Sequence, residues 1–258
     1  SKKLKPLISD QWSAGLYYHP RPGWSVAAEG YYKQMENILE YKDGYHFLPS
    51  LTGWEEKLAM GKGRSYGMEI TVRKQTGQIT GWIGYGLMWA DRQFREINGG
   101  KRFPAKFDNR HKLNLVANWK INPTVELTGS WVYTTGNRIT LALENYQSLG
   151  QSGKPGHSTP LPAYPPEEGL GYYTGRNNIR LPAYHRLDLG VNFYRSYAKG
   201  RSGIWNISIY NAYSRMNPIV IKKRVWLLSS DHPLTTDCYF ETLGLIPIIP
   251  SVSYTYKF

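Results

Sequence analysis

The amino-acid sequence predicts an all-β fold, an antiparallel transmembrane β-barrel, from three observations. Apolar and polar residues alternate in one segment after another, which is the pattern of β-strands rather than helices. The charged residues of these segments fall on the polar side of the alternation, so the other side carries no charge. Short turns with Pro or Gly alternate with long connecting segments, as in a barrel with turns at one end and loops at the other.

About nine strands are predicted, each of roughly the 9–11 residues that a tilted strand needs to cross a bilayer. The alternation is clearest in HKLNLVANWK, where Leu113, Leu115 and Trp119 oppose Lys112 and Asn114. The predicted apolar faces run, in chain order, over 12–18, 24–32, 68–72, 83–89, 113–119, 125–133, 187–193, 205–209 and 252–258.

The two faces of these strands indicate what surrounds them. The charges in mid-strand all lie on the polar side, at Glu29, Glu69, Arg73, Glu126, Arg186 and Asp188. A charge facing lipid would cost about 2–4 kcal/mol near the midplane, whereas a water-filled lumen accepts it. Aromatic residues concentrate at strand ends, as at a membrane interface, at Trp12, Trp24, Trp89, Trp119, Trp205 and Phe258. A secreted Tyr-rich β-sandwich that binds glycans stays open as an alternative, because its strands also alternate.

Composition excludes several other classes. The chain has 258 residues with a mean hydropathy of -0.51, and no apolar run is long enough for a membrane-spanning helix. Its single cysteine excludes an internal disulfide or a Cys-based zinc site, and the six His show no metal-ligand spacing. We therefore expect no metal and no cofactor. The net charge of +13 lies mostly in turns and loops, which argues against nucleic acid and suits anionic lipid or lipopolysaccharide.

The connections predict that the barrel is incomplete. Short turns are expected at HPRPGW, KQTGQ, KINPT and SYAKGRSG, and long segments at about 34–62, 91–107, 136–180 and 214–249. This order gives an odd number of strands, with Ser1 on the extracellular side, whereas single-chain bacterial barrels have even numbers. An open sheet would also leave unpaired backbone groups in lipid. We expect a mature or cut form whose remaining strands lie upstream or on another chain.

Six stretches resemble the last third of TonB-dependent outer-membrane receptors, especially those of Bacteroidetes type. They are LKPLISDQWSAGLYY, YGMEITVRKQTGQITGWIGYGL, FPAKFDNRHKLNLVANWKI, LPAYHRLDLGVNF, NISIYNAYSRMNP and LGLIPIIPSVSYTYKF. The resemblance implies a 22-stranded barrel around an N-terminal plug, to which residues 1–258 contribute about strands 14 to 22. It also implies import of a scarce nutrient, such as an iron chelate, cobalamin, a glycan or a peptide, driven by TonB. The plug and the TonB box are expected outside this chain.

The resemblance also implies partners and a place in the cell. The expected location is the bacterial outer membrane, among its lipid and lipopolysaccharide. The remaining barrel strands, the plug and, through the N-terminal part, TonB are the expected protein partners. The C-terminal strand resembles the signal that the barrel-assembly machinery reads, with Tyr254, Tyr256 and Phe258 as its residues.

A self-standing small outer-membrane barrel, either a channel or an enzyme, is the second hypothesis. GRSYG matches the nucleophile elbow around Ser65, but a strand-forming run follows it and the elbow requires a helix there. His111 lies near Asp108 and His185 near Asp188, a pattern that an outer-membrane hydrolase or a purely structural hydrogen-bond network can both produce. No catalytic residue is assigned, and we expect the chain not to be an enzyme.

Two loops are candidates for ligand contact. The long Gly- and Pro-rich segment 136–180 offers Tyr164, Tyr172, Tyr173 and Arg176, which could stack on sugar rings or hold an anionic ligand. A capping loop without ligand is the alternative.

After Asn217 and Pro218, the stretch IVIKKRVWLL predicts a hairpin above the membrane. Its Lys222, Lys223 and Arg224 could meet lipopolysaccharide phosphates, or simply be solvated. No haem, iron or cobalamin signature is visible, so the ligand stays open.

Overall fold

The structure, a computed structural model, describes residues 4–43, 53–142, 144–146, 170–227 and 236–258. Its strands are β1 Ile8–Tyr18, β2 Trp24–Tyr41, β3 Leu58–Lys74, β4 Ile79–Phe94, β5 Phe103–Pro104, β6 His111–Asn122, β7 Val125–Thr134, β8 Arg138–Ile139, β9 Glu144–Tyr146, β10 Leu170–Tyr172, β11 Ile179–Arg180, β12 Tyr184–Ser196, β13 Ser202–Tyr210, β14 Pro218–Leu227, β15 Thr236–Gly244 and β16 Ile249–Lys257. Short 3₁₀ turns occupy Trp54–Lys57, Asn98–Gly100 and Ala198–Gly200.

Nine strands form one antiparallel sheet in the order β1-β2-β3-β4-β6-β7-β12-β13-β16, and β5 extends it beside the end of β4. The nine alternating segments of the sequence are these nine strands, so the predicted all-β antiparallel fold is confirmed. In the part of the chain that the structure describes, the first and last strands of the sheet each pair on one side only. The described residues contain no helix long and apolar enough to cross a membrane.

Short and long connections alternate along this sheet, as predicted. The short turns are residues 19–23, 75–78, 123–124 and 197–201, and the long connections are 42–57, 95–110, 135–183 and 211–248. We call the two ends of the sheet the short-turn end and the long-loop end. The tightest turn follows Asn122, whose side-chain Oδ1 accepts hydrogen bonds from the backbone N–H groups of Thr124 and Val125, both at 2.8 Å. Asn forms such turns readily because its amide can replace a backbone acceptor.

The strands β2, β3 and β4 are longer than predicted, with 18, 17 and 16 residues. β2 and β3 therefore include both ends of the segment 34–62, and β4 includes the start of the segment 91–107, both of which were predicted to be long loops. Cross-strand ion pairs explain the extension, since Lys62 Nζ lies 3.0 Å from Glu36 and Arg64 Nε lies 2.8 Å from Asp91. Such pairs replace apolar alternation where the strands continue into water.

The predicted hairpin after Pro218 is also present, because β14 pairs antiparallel with β15.

The strand register places all the predicted apolar residues on one face, which we call the outer face. A single row across the sheet runs through the register pairs Ile83 with Leu115, Leu115 with Trp131, and Trp131 with Leu187. These side chains are uncovered by protein: Leu16 is 71% exposed and Val252 is 63% exposed. Within the described residues no second sheet covers this face, which is the arrangement of a sheet that meets hydrocarbon.

Aromatic rings mark two levels on the outer face. Trp12, Tyr32, Tyr66 and Trp89 form a row across four neighbouring strands near the long-loop end, with ring centroids 5.4–6.3 Å apart. Trp24 marks the lower level on β2, eight residues below Tyr32, which is about 26 Å along the strand. With the tilt of barrel strands this spacing is about 20 Å of membrane thickness, close to the apolar band of outer-membrane barrels.

The buried core lies at the long-loop end. It consists of Ile38, Ala59, Phe94, Ile97 and Phe103, each at most 8% exposed. A β-bulge at residue 37 turns β2 toward this core, because the register shifts between Glu36 and Ile38 and Asn37 adopts a positive φ of 59°. One inserted residue reverses the facing of all later side chains, so Ile38 points away from the outer face.

Candidate functional site: the lumenal wall and the rim strap

The opposite face of the sheet is polar, and we call it the lumenal face. Its most connected group is Arg186 on β12, which forms a bidentate pair with Asp188 at 2.8–2.9 Å. The same guanidinium donates to the hydroxyls of Tyr184 at 2.9 Å and Tyr210 at 2.6 Å, and lies 4.0 Å above the Tyr210 ring. All three guanidinium nitrogens of the half-buried Arg186 thus have partners within the wall, which fixes the positions of the charges.

Asp188 ties this cluster to the neighbouring strand and to the loop above it. Ser130 on β7 donates to its carboxylate at 3.3 Å, and the backbone N–H of Asn211 donates at 2.9 Å. Asn211 is 1% exposed, and its side-chain amide bonds the carbonyls of Arg215 and Ile246. Because these bonds join residues far apart in sequence, Asp188 and Asn211 anchor the connection 211–248 on the wall.

A second polar row lies closer to the short-turn end. Tyr194 donates to Glu126 at 2.5 Å, Asn192 donates to the same carboxylate oxygen at 3.3 Å, and Asn206 donates to Asn192 at 2.7 Å. These residues come from three adjacent strands, so the row crosses β7, β12 and β13. Between the two rows, a shallow groove of about 260 Å³ runs past Asn118, Thr128, Ser130 and Ser208. The wall is therefore polar along both rows, as suits a surface that faces water or a polar protein.

At the long-loop end, residues 173–180 cross over the tops of other strands, and we call this segment the rim strap. Arg176 lies 2.9 Å from Asp43 and 3.4 Å from Glu40 at the end of β2. Its backbone N–H donates to the side chain of Asn98 at 2.9 Å, and Arg92 pairs with Glu40 at 2.5 Å. The strap thus joins residues more than 130 positions apart, directly above the buried core.

A buried carboxylate supports the strap from below. Asp108 is 1% exposed and accepts a hydrogen bond from the backbone N–H of Ala90 at 3.0 Å. Arg180, Arg110 and Arg138 surround it with nitrogens at 2.8, 3.2 and 3.4 Å, although Arg138 lacks hydrogen-bond geometry. Burial, reinforced by the neighbouring Arg138, lowers the pKa of the Arg180 guanidinium, while Asp108 opposes the shift. Three cations share one anion, so this hub keeps an excess of positive charge.

The predicted ligand residues are only partly visible. Tyr164 lies outside the described residues, and Tyr172 lies in β10, where the structure describes the backbone. Tyr173 is 53% exposed at the start of the strap. Arg176 is held by acidic residues of the rim. The role of these four residues in ligand binding stays a prediction.

The acidic partners of Arg176 and the hub around Asp108 were missed by sequence reasoning. No local motif signals either group, because their members come from separate loops. The one sequence feature that could have indicated these contacts is the run of three polar residues Arg176, Asn177 and Asn178. Both asparagines donate hydrogen bonds to distant backbone carbonyls.

The other sites predicted from the sequence lie on β14 and at the C-terminal strand β16. Lys222, Lys223 and Arg224 lie in β14, whose backbone is described, and their contact with lipopolysaccharide stays a prediction. On β16, Tyr254 stacks against Trp205 with ring centroids 4.6 Å apart, Tyr256 lies near Tyr197, and Phe258 is fully exposed. Their use as an assembly signal is likewise untested.

The residue patterns that suggested catalysis are placed in structural roles. Ser65 lies in the middle of β3, without the strand–turn–helix of a nucleophile elbow. His111 bonds the Tyr85 hydroxyl at 2.8 Å while Asp108 binds arginines, and His185 bonds the Tyr213 hydroxyl at 2.7 Å while Asp188 binds Arg186. Among the described residues, no three His, Cys, Asp or Glu side chains group as a metal site would require.

The chain is similar to known proteins both in sequence and in structure. A family model described as TonB dependent receptor-like, beta-barrel matches residues 1–212. None of the curated proteins matches the chain. Among solved structures, the closed form of the ferric-catecholate import receptor Fiu from Escherichia coli K12 superimposes with a TM-score of 0.53 at 14% identity. The match covers 84% of this chain and 25% of that receptor, so the chain spans about a quarter of the receptor's length. At this identity the likeness concerns the fold.

Proposed function

The chain belongs to the TonB-dependent receptor-like β-barrel family, and on that premise we propose that it forms part of an outer-membrane receptor that imports a scarce nutrient. The observation that carries this proposal is the two-faced sheet: an uncovered apolar outer face marked by aromatic residues at two levels, and an opposite face with two rows of hydrogen-bonded polar side chains. A lipid-facing exterior and a wet interior are what a transport barrel requires.

The chain supplies, in this proposal, one contiguous segment of the barrel domain, corresponding to about strands 14 to 22 of a 22-stranded barrel. The one-sided pairing of β1 and β16 within the described residues supports it, because unpaired strand edges are not stable in hydrocarbon. The partners of the assembled receptor would be the remaining strands, a plug domain within the lumen, TonB acting through the N-terminal part, and the barrel-assembly machinery.

The lumenal wall is the surface that a plug or a passing ligand would touch. Arg186 and Asp188 form an ion pair within the wall, and Glu126 accepts hydrogen bonds from Tyr194 and Asn192. Such a wall offers fixed hydrogen-bond partners to a plug that must be held and yet rearrange. The transported ligand would be an iron chelate, cobalamin, a glycan or a peptide.

Uptake by cells that carry or lack the full gene tests the proposal. A deletion strain and its complemented parent should be given radiolabelled ferric catecholate, labelled cobalamin, and fluorescent oligosaccharide or peptide. We expect the deletion to abolish uptake of one of these ligands, and collapse of the proton-motive force to abolish it in the parent. Equal uptake of every ligand by both strains would contradict an import function.

A further inference from the structure

A notch on the outer face carries a second site, separate from the lumenal wall. β4 pairs with β6 up to the register pair of Leu87 and His111, and farther up it pairs with β5 from Asp91 onward. Between these two pairings the side chain of Asp108 takes the place of a strand residue, by bonding the N–H of Ala90. The gap leaves a cavity of about 240 Å³, which is room for about eight water molecules. Its lining includes Trp89, Asp91, Arg102, Pro104, Asp108 and Arg110.

The notch opens toward the surrounding membrane. Trp89 belongs to the upper aromatic row, and Asp91 is on the same face two residues higher, about 7 Å along the strand. Aromatic rows of this kind sit at the level where hydrocarbon gives way to headgroups. The notch therefore lies at headgroup height, while Leu87 and the 42%-exposed Met68 continue the apolar surface below it.

The charge of the notch is positive. Asp91 is paired with both Arg64 and Arg102, and Asp108 is surrounded by Arg110, Arg138 and Arg180. Among the residues that the structure describes, five guanidinium groups thus share two carboxylates, an excess of three positive charges.

Two of these arginines are presented to the opening. Arg110 stacks over Trp89, with its guanidinium carbon 4.8 Å from the ring centroid, and the side chain of Arg102 is 42% exposed. Neither side chain is free to collapse onto the strand. Arg110 is held by the indole and Asp108, and Arg102 by Asp91.

We propose that this notch binds the phosphorylated sugar headgroup of a lipid of the outer leaflet, with Arg102 and Arg110 holding the phosphate. A guanidinium binds a phosphate through two parallel hydrogen bonds, a geometry that ammonium groups lack. The indole of Trp89 and the apolar surface below it receive the sugar edge and the first acyl chain. A lipid rather than free phosphate is favoured because the cationic wall and the apolar surface are continuous. The proposal rests on the outer-membrane placement of the barrel and not on what it transports.

The test compares lipid binding by purified full-length receptor and by two variants. The double variant Arg102→Gln and Arg110→Gln removes both presented cations and leaves each aspartate paired, Asp91 with Arg64 and Asp108 with Arg138 and Arg180. The matched control is Arg195→Gln. Arg195 is also an exposed arginine near an aromatic ring, 5.4 Å from the Tyr197 centroid, but it lies at the short-turn end. Heat-modifiable migration on gels verifies that both variants are folded.

The probes are bis-phosphorylated lipid A, fully dephosphorylated lipid A and inorganic phosphate, measured by native mass spectrometry from detergent. We expect the double variant to bind bis-phosphorylated lipid A at least roughly tenfold more weakly, and Arg195→Gln to bind it as the parent does. Unchanged binding by the double variant, or equal binding of both lipids by the parent, would overturn the proposal. Displacement of the lipid by an equal concentration of inorganic phosphate would show a free-phosphate site instead and would equally overturn it. The binding assay uses neither the transported nutrient nor TonB, so a failure here is separable from a failure of the import function.

Discussion

The midsection of the sheet and its rim at the long-loop end bury apolar side chains in opposite ways. In the midsection, apolar residues such as Ile83 and Leu115 stand on a face that no described protein segment covers. At the rim, Phe94 and Ile97 are 1% and 0% exposed, enclosed by a bulged strand, by β5 and by their own loop. The difference shows that one sheet passes through two solvents. In the midsection, hydrocarbon covers the apolar side chains. At the rim, the surroundings are aqueous, so the apolar side chains are buried in a core of protein.

The polar groups follow the same division. In the midsection they form two rows of hydrogen bonds on the lumenal face, because only that face is wet. At the rim, ion pairs occur on both faces, with Arg64 and Asp91 on the outer side and Arg92 and Glu40 on the other. Most of these pairs are partly exposed, so each adds little to the stability of the fold. Their effect is to hold the strap and the strand ends in position.

The largest expected effect comes from Phe94→Ala, which removes the centre of the rim core. Loss of a buried Phe costs about 3–5 kcal/mol, because the transfer term and a cavity add. Hydrogen exchange of the barrel in detergent should show lost protection at the upper ends of β3 and β4 and near-normal protection in the midsection. The matched variant is Ile83→Ala on the outer face, where detergent or lipid fills the space, so its cost should be less than half as large. Equal losses in the two variants would mean that the two regions bury apolar groups in the same way.

The next effect tests the facing of the midsection. Leu115→Arg places a cation in the lipid-facing row and should cost about 2–4 kcal/mol, enough to block assembly. Asn114→Arg places the same cation one residue away, on the lumenal face, and should be tolerated. The measurement is the amount of folded, heat-modifiable protein in outer-membrane fractions. Similar amounts of folded protein from both variants would contradict the assignment of the two faces.

The smallest effect concerns the bulge that separates the two regions. Asn37→Ala puts at a φ of 59° a residue without the short polar side chain that lets Asn adopt this conformation, and it removes the hydrogen bond to the Pro6 carbonyl, so it should cost about 1–2 kcal/mol. Asn37→Gly loses the same bond but accepts the backbone angle, so it should cost less. Rim hydrogen exchange is again the readout. If alanine proved the better tolerated of the two, backbone conformation would not be what holds the bulge.

Sequence reasoning predicted the midsection well. Alternation, mid-strand charge and turn residues gave the nine strands, the two faces and the four short turns, because each of these depends on neighbours within one strand or one turn. It failed at the rim, where the upper ends of β2, β3 and β4 were assigned to loops. The alternation stops there, since both faces meet water and cross-strand ion pairs take over, and the pairing partners are remote in sequence.

The candidate sites divide along the same line. Arg186 and Asp188 were identified as lumenal from alternation alone, and their mutual pairing is local. The attachment of Arg176 to Asp43, and the gathering of three arginines around Asp108, join segments that nothing in the chain marks as neighbours. The amino-acid sequence by itself therefore determined which side of each strand is apolar and where the short turns lie, because both depend on consecutive residues. Only the folded chain decided which loops meet above the sheet, since that depends on strand order, register and a one-residue bulge.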